Sequence, residues 1–280
     1  MHKISIKAKD NAAISALAHN FNNDSIKGVV IIIHGFGEHA AMYTAVGERF
    51  GEEGYACILY DQRGHGASPD DRKNWFGIIP SYQHFLDDLD SVAEAAGNMA
   101  PGASLALYGH SMGGNVMLNY LIKHNAEKYS CAILEAPWLG LYNEPSPIVV
   151  GVAKLAGRLS PYMKTKNELK PEILTSDPTK LDGYSSDPLY HGQISFRLFI
   201  GVKNGCEYAI KNASQVSLPL FLAYAEQDKV LDNEATLLFA SNAGDNVKLH
   251  KYDCKHAIHN DLKREDFFKD VVEFLEENCK

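Results

Sequence analysis

A serine set among glycines, a carboxylate and two histidines are the residues of this 280-residue chain whose types and spacing point to chemistry. Gly109-His110-Ser111-Met112-Gly113 has the Gly-x-Ser-x-Gly pattern, follows the apolar run Ser104 to Tyr108 and opens a helix-like run from Gly114 to His124. Strand, sharp turn and helix in that order are the context of a nucleophile elbow. A backbone that reverses so tightly pushes the serine toward a strained φ/ψ region, and Gly109, Gly113 and Gly114 leave room for the turn. In that setting Ser111 Oγ is a candidate nucleophile at the carboxyl end of a strand, above a helix N-terminus. The bland alternative is a glycine-rich turn whose serine is only an N-cap.

A serine nucleophile needs a base, and the base needs an orienting acid. Asp228 lies four residues past the strand-like run Pro219 to Tyr224, in a loop that should hang over the same sheet edge as Ser111. Asp232 competes, but its place ahead of the helical run Asn233 to Asn242 suits an N-cap. His256 and His259 both follow the last strand-like run, Val247 to Tyr252, and either can serve as general base. His256 is nearer the strand end and is preferred; His259 suits a loop or helix-capping role before the terminal helix Leu262 to Asn278.

The elements that must position these groups can be read in order. Ile4 to Ala8 and Ala13 to His19 alternate as an edge hairpin, whereas Val29 to Ile33 is a continuous β-branched run, as a strand buried on both faces requires. His34-Gly35-Phe36-Gly37-Glu38-His39 follows that run, ahead of a helix Ala41 to Glu53. Glycine removes the Cβ that would keep backbone N–H groups from an oxyanion, so the Phe36 N–H is a candidate donor. A plain tight turn is the alternative, and neither His34 nor His39 has the spacing of a metal ligand. Tyr55 to Tyr60 is a further strand, and the turn-rich Asp61 to Ser68 segment after it should hold loops together by hydrogen bonds. Ser81 to Met99 is an amphipathic helix and Ser130 to Glu135 another strand, so the β-α alternation predicts an α/β fold with a mostly parallel sheet.

From residue 138 to 216 the alternation stops and six prolines punctuate the chain. Ile148 to Leu159 and Ile194 to Val216 have helical periodicity there. The expected organisation is therefore a core of residues 1–137 and 217–280 with a helical cap, 138–216, lying over the strand ends and walling a pocket. The apolar helix Ile148 to Leu159 suits transient contact with lipid or plain packing on the core.

Composition narrows the setting. Lys+Arg 27 against Asp+Glu 35 leaves a net charge of −8 with no basic run, which makes nucleic acid a poor partner. No stretch reaches the length of a membrane span and the first residues lack a signal-type apolar run. Five cysteines without Cys-x-x-Cys spacing read as reduced thiols, and the cytoplasm is the expected compartment.

Four segments now carry a resemblance: His34 to His39, Asp61 to Ser68, Gly109 to Gly114 and His256 to Asp261. With the order Ser, Asp, His, the chain resembles an α/β-hydrolase, and within that fold the monoacylglycerol lipase and lysophospholipase family of serine hydrolases. The resemblance implies Ser111 as nucleophile, Asp228 as acid, His256 as base and the backbone N–H groups of Phe36 and Met112 as oxyanion donors. It also covers Ser186-Asp187-Pro188 in the cap. The expected activity is carboxylic ester hydrolysis through an acyl-enzyme on a small-molecule ester with an apolar acyl group, without metal or organic cofactor. An aryl or short-chain esterase, a non-catalytic binder on the same fold and a proline-type aminopeptidase are the rival readings.

Overall fold

The computed structural model describes residues 1–23, 25–68, 75–124, 126–166 and 169–279. In chain order its elements are β1 (His2–Lys7), β2 (Ala13–His19), β3 (Val29–Ile33), α1 (Thr44–Glu52), β4 (Ala56–Tyr60), α2 (Gln83–Met99), β5 (Leu105–His110), α3 (Met112–Lys123) and β6 (Tyr129–Glu135). Then follow α4 (Pro147–Leu159), β7 (Lys164–Lys166), α5 (Pro171–Leu174), α6 (Leu181–Ser185), β8 (Gln193–Ser195) and α7 (Phe196–Lys211). The chain closes with β9 (Leu220–Ala225), α8 (Asn233–Ala243), β10 (Val247–Tyr252) and α9 (Arg264–Asn278).

Among the described residues one eight-stranded sheet runs β1-β2-β4-β3-β5-β6-β9-β10. It is parallel from β4 to β10, and the β1–β2 hairpin joins antiparallel to β4 at the edge. Every residue of β3, β4 and β5 is buried, because crossover helices cover both faces of a parallel sheet. That accounts for the unbroken apolar runs: Ile31 and Ile33 enter the core on one face, Val30 and Ile32 the core on the other. The consequence for function is positional. The loops after β3, β5, β9 and β10 all leave the carboxyl edge of the sheet, where open α/β sheets bind ligands.

Between β6 and β9 the helix expected over Ile194 to Val216 is shorter at both ends, stopping at Lys211 ahead of a separate 3-10 turn at Ala213–Gln215. It begins at Phe196, because Gln193–Ser195 pair antiparallel with Lys164–Lys166 as a two-stranded ribbon. Ser195 then caps α7, its hydroxyl accepting from Leu198 N–H. Three-residue strands carry too little pattern to be read from sequence. α4 packs on α7 through its small residues Ala153 and Gly157, while Ile148 (79% exposed), Val152, Leu155 and Leu159 (78%) form an outward apolar face. Core packing therefore leaves most of that face uncovered. No helix among the described residues is long and apolar enough to cross a membrane.

Candidate active site

Ser111 sits between β5 and α3 at φ 51°, ψ −117°, a conformation that costs a non-glycine residue about 1–3 kcal/mol. The turn is held by Ser111 N–H donating to the Glu135 carbonyl (3.0 Å) and by Trp138 N–H donating to the Ser111 carbonyl (2.8 Å). Glycine is required beside it: a Cβ on Gly113 would stand 2.2 Å from the Ile33 carbonyl oxygen, so only a bare backbone lets α3 start this close to the end of β3. The Ser111 side chain makes no capping bond to α3. The plain N-cap alternative is thereby removed, and the hydroxyl is left to the cavity that Ser111 lines.

The loop after β10 brings His256 to the same cavity. Its Nδ1 lies 2.7 Å from Asp228 Oδ2, with both side chains buried. Asp228 is oriented by its other oxygen, which accepts from Val230 N–H (2.7 Å) and Leu231 N–H (3.0 Å). Burial disfavours the charged form of both groups, but their mutual attraction and these hydrogen bonds outweigh it. The Asp228 carboxyl is held below its usual range and the His256 imidazole above. Asp232 takes the capping role, its Oδ1 accepting from Glu234 N–H at the start of α8.

Gly35, Phe36 and Glu38 of the loop after β3 line the cavity from the other side. Glu38 Oε2 accepts from Gly35 N–H (2.8 Å) and Tyr43 O–H, which ties the loop back on itself. Met112 holds the first helical position of α3, where an N–H has no intrahelical acceptor. The Asp61 to Ser68 segment is a scaffold, as expected: Gln62 N–H donates to His34 Nε2, Asp61 accepts from Ala40 and Ala67 N–H, and Arg63 pairs with Asp10 and Asp88. Directly beside Ser111 the free volume is ≈ 30 Å³, walled by apolar side chains that include Trp138, Leu141, Leu174, Val230 and Leu231. A second cavity of ≈ 470 Å³ is lined by Phe76 and otherwise by the segment between β6 and β9, and it shares Leu169 and Tyr190 with the first. Those two residues border both cavities.

The comparisons with known proteins fit this geometry. The Hydrolase_4 model, described as serine aminopeptidase, S33, matches residues 24–263. The chain belongs to this family. Among its relatives, an abhydrolase domain-containing protein of Dictyostelium discoideum is 30% identical over 90% of this chain, and the match covers only 26% of that protein. A monoacylglycerol lipase of Mycolicibacterium smegmatis is 28% identical, over 89% of this chain and 88% of its own length. Among solved structures, the monoacylglycerol lipase of Paleococcus ferrophilus superposes with a TM-score of 0.84 at 26% identity, covering 94% of this chain and 98% of that one. The Hydrolase_4 fold in this chain is thus an α/β-hydrolase with the sheet order given above.

Two sets of buried polar residues near the site escaped the sequence reading. Glu135, at the end of β6, accepts from Tyr108 O–H and from the backbone and ring N–H of His259 (each 2.9 Å). His110 Nδ1 stands 3.6 Å from the same carboxylate. His110, Glu135 and His259 offer ligand atoms within 4.8 Å of one another, the kind of grouping that can hold a metal. Here Glu135 already accepts three protein hydrogen bonds, so the group is read as a Tyr108–Glu135–His259 hydrogen-bond network with His110 packed beside it, its Nδ1 outside hydrogen-bond distance. The second set, Asn115 and Asn119 on α3, donates to the Val202 and Gly205 carbonyls of α7 and ties that helix to the elbow helix. Only the chain's path brings these partners together; no local pattern announces them.

Proposed function

We propose that this protein is a serine hydrolase that cleaves carboxylic esters of the monoacylglycerol and lysophospholipid type through an acyl-enzyme on Ser111. The observation that carries the reading is the convergence of Ser111, the His256–Asp228 pair and the glycine loop at Phe36 on one apolar cavity. Ser111 Oγ attacks the ester carbonyl while His256 takes its proton; the alkoxide oxygen that forms is stabilised by the Phe36 and Met112 N–H groups. His256 returns the proton to the leaving alcohol, water repeats the sequence on the acyl-enzyme, and Asp228 keeps the imidazole in the required tautomer throughout. Similarity to named monoacylglycerol lipases over most of both chains supports an ester substrate rather than the free amine of an aminopeptidase.

In this reading residues 138–216 act as a cap, with Leu169 and Tyr190 moving to join the two cavities when an acyl chain enters. The outward apolar face of α4 makes the transient lipid contact that delivers substrate. All five cysteines are buried and unpaired, which supports action in the reducing cytoplasm. One observation favours a second substrate class: the ≈ 30 Å³ beside Ser111 is about the room of one water molecule, so a short acyl ester demands the least movement of the walls.

The test is hydrolysis of p-nitrophenyl esters of increasing chain length, a monoacylglycerol, a lysophospholipid and methyl ferulate, each run beside Ser111→Ala. Preference for long acyl chains, lost in the variant, is the expected result. A preference for short or aryl esters moves the substrate to the second class. Absence of Ser111-dependent turnover on every ester overturns the reading in favour of a binder.

A further inference from the structure

Ser186-Asp187-Pro188 takes no part in the chemistry above, yet it begins a strap, residues 187–195, that runs along the glycine loop after β3. Asp187 Oδ2 lies 2.7 Å from His39 Nε2. His191 N–H donates to the Gly37 carbonyl (2.9 Å), and its ring meets the Phe36 ring edge-on, with centroids 6.0 Å apart. The approach is so close that a Cβ on Gly37, where φ is +76°, would stand 2.1 Å from the His191 carbonyl oxygen. Asp187 is itself fixed: Oδ1 accepts from Leu189 N–H (2.8 Å), and Pro188 keeps the residue before it out of the helical region.

The glycine loop is therefore held from two sides. On the inside, Glu38 holds the Gly35 N–H and the His34 Nδ1–H donates to the Gly35 carbonyl (2.8 Å). On the outside, the strap holds Gly37 and His39. Phe36 lies between them, with a glycine on either side that by itself fixes very little. An oxyanion donor acts only when its N–H is about 2.7–3.1 Å from where the charge develops, so a small drift of this backbone is costly.

We propose that Asp187 is a positioning residue: paired with His39, it clamps the strap onto residues 35–39 and so aims the Phe36 N–H at the developing oxyanion. The proposal rests on the reading of Phe36 as an oxyanion donor. It makes the competence of the oxyanion site depend on a docked cap. The oxyanion exists only in the transition state, so loss of the clamp appears in kcat and not in KM. A strap that merely walls the pocket or stabilises the cap would act on KM or on melting instead.

The experiment uses p-nitrophenyl acetate, a soluble ester too short to need the cap cavity, with Asp187→Ala, Asp187→Asn and His39→Gln. Thermal melting and amide hydrogen exchange of the 34–40 segment are measured beside it. Expected are a kcat about 10-fold lower in Asp187→Ala with KM within about two-fold, below the 10²- to 10³-fold cost of removing a whole donor. Asp187→Asn, whose side-chain carbonyl can still accept from the His39 ring N–H, recovers most of the loss. Exchange in the 34–40 segment rises in Asp187→Ala and much less in Asp187→Asn and in His39→Gln, whose side-chain amide can still donate to Asp187. Unchanged kcat in a folded Asp187→Ala, or a loss confined to KM, overturns the clamp while leaving the ester-hydrolase reading intact. If wild type shows no Ser111-dependent turnover, that reading fails, and the clamp is judged on exchange alone: unchanged exchange at 34–40 overturns it.

Discussion

Two carboxylate–imidazole pairs lie side by side at the carboxyl edge of the sheet. In one, Asp228 Oδ2 is 2.7 Å from His256 Nδ1; in the other, Glu135 Oε1 is 2.9 Å from His259 Nδ1. Both are buried, and both carboxylates also accept backbone N–H groups. His110 stands between them, its ring centroid 4.7 Å from that of His256 and 5.2 Å from that of His259. The difference is where the imidazole faces. His256 lines the cavity with Ser111, whereas the His259 ring stacks on Tyr43 with centroids 4.8 Å apart. An acid–histidine pair becomes catalytic only when its far nitrogen can reach a nucleophile; otherwise the same chemistry anchors a loop. Here the second pair anchors the loop that carries the first.

Substitution at the two histidines is the severest test of that contrast. His256→Ala should lower kcat/KM by at least about 10⁴-fold, whatever stability is lost by leaving buried Asp228 with its two backbone donors alone. His259→Ala should keep activity within about 10-fold but lose about 1–3 kcal/mol of stability, because it leaves the buried Glu135 carboxylate short of its partners. Denaturant titration and ester kinetics on both variants decide it, and the reverse pattern would exchange the two roles. The acids come next. Asp228→Asn should cost on the order of 10³- to 10⁴-fold in kcat through the wrong histidine tautomer, whereas Asp232→Ala should cost only about 1 kcal/mol as a lost N-cap.

Acidity separates the pairs more gently. A base must be neutral to act, and the Asp228 carboxylate holds the His256 pKa above its ordinary 6.5 against the opposing effect of burial. Ester hydrolysis should therefore begin to fall while the pH is still above 6.5 and continue down through that value. The fold responds lower. Burial holds His110 and His191 neutral down to about 4, so between pH 6.5 and 4 the unfolded chain binds more protons than the native one. Stability accordingly declines as pH drops through that window. Activity and melting temperature measured on one pH series should show these two stages in that order; a melting temperature that rises between pH 6.5 and 4 would contradict the assignment. The smallest effect belongs to Glu135→Gln. After Asp228 and Glu38, Glu135 is a lesser support of the charged His256 ring, so its neutralisation should move the acid limb of the activity profile slightly toward lower pH.

What sequence alone made legible were the features written in consecutive residues. The elbow at Ser111, the loop at Phe36 and the buried strands are short local patterns, and a fold that lines up strand ends brings Asp228 and His256 to Ser111. Asp232 and His259 could be weighed against them because a cap and a loop histidine also have local signatures. Glu135 could not be seen this way: it lies 124 residues from His259, in a run that reads simply as strand. The same holds for Asn115 with Val202 and for Asp187 with His39, pairs made only by the docking of one segment on another. The β7–β8 ribbon is illegible for a different reason, since three residues per strand are too few to establish a period.

The central claim is that Ser111, activated by His256, is the nucleophile. Its most direct test is reaction of the intact protein with a fluorophosphonate, followed by peptide mapping of wild type, His256→Ala and His259→Ala. The account predicts a single phosphonyl adduct on Ser111 that forms at nearly the wild-type rate in His259→Ala and at least about 10³-fold more slowly in His256→Ala. An adduct on another residue, or labelling of Ser111 that depends on His259 and not on His256, would contradict it.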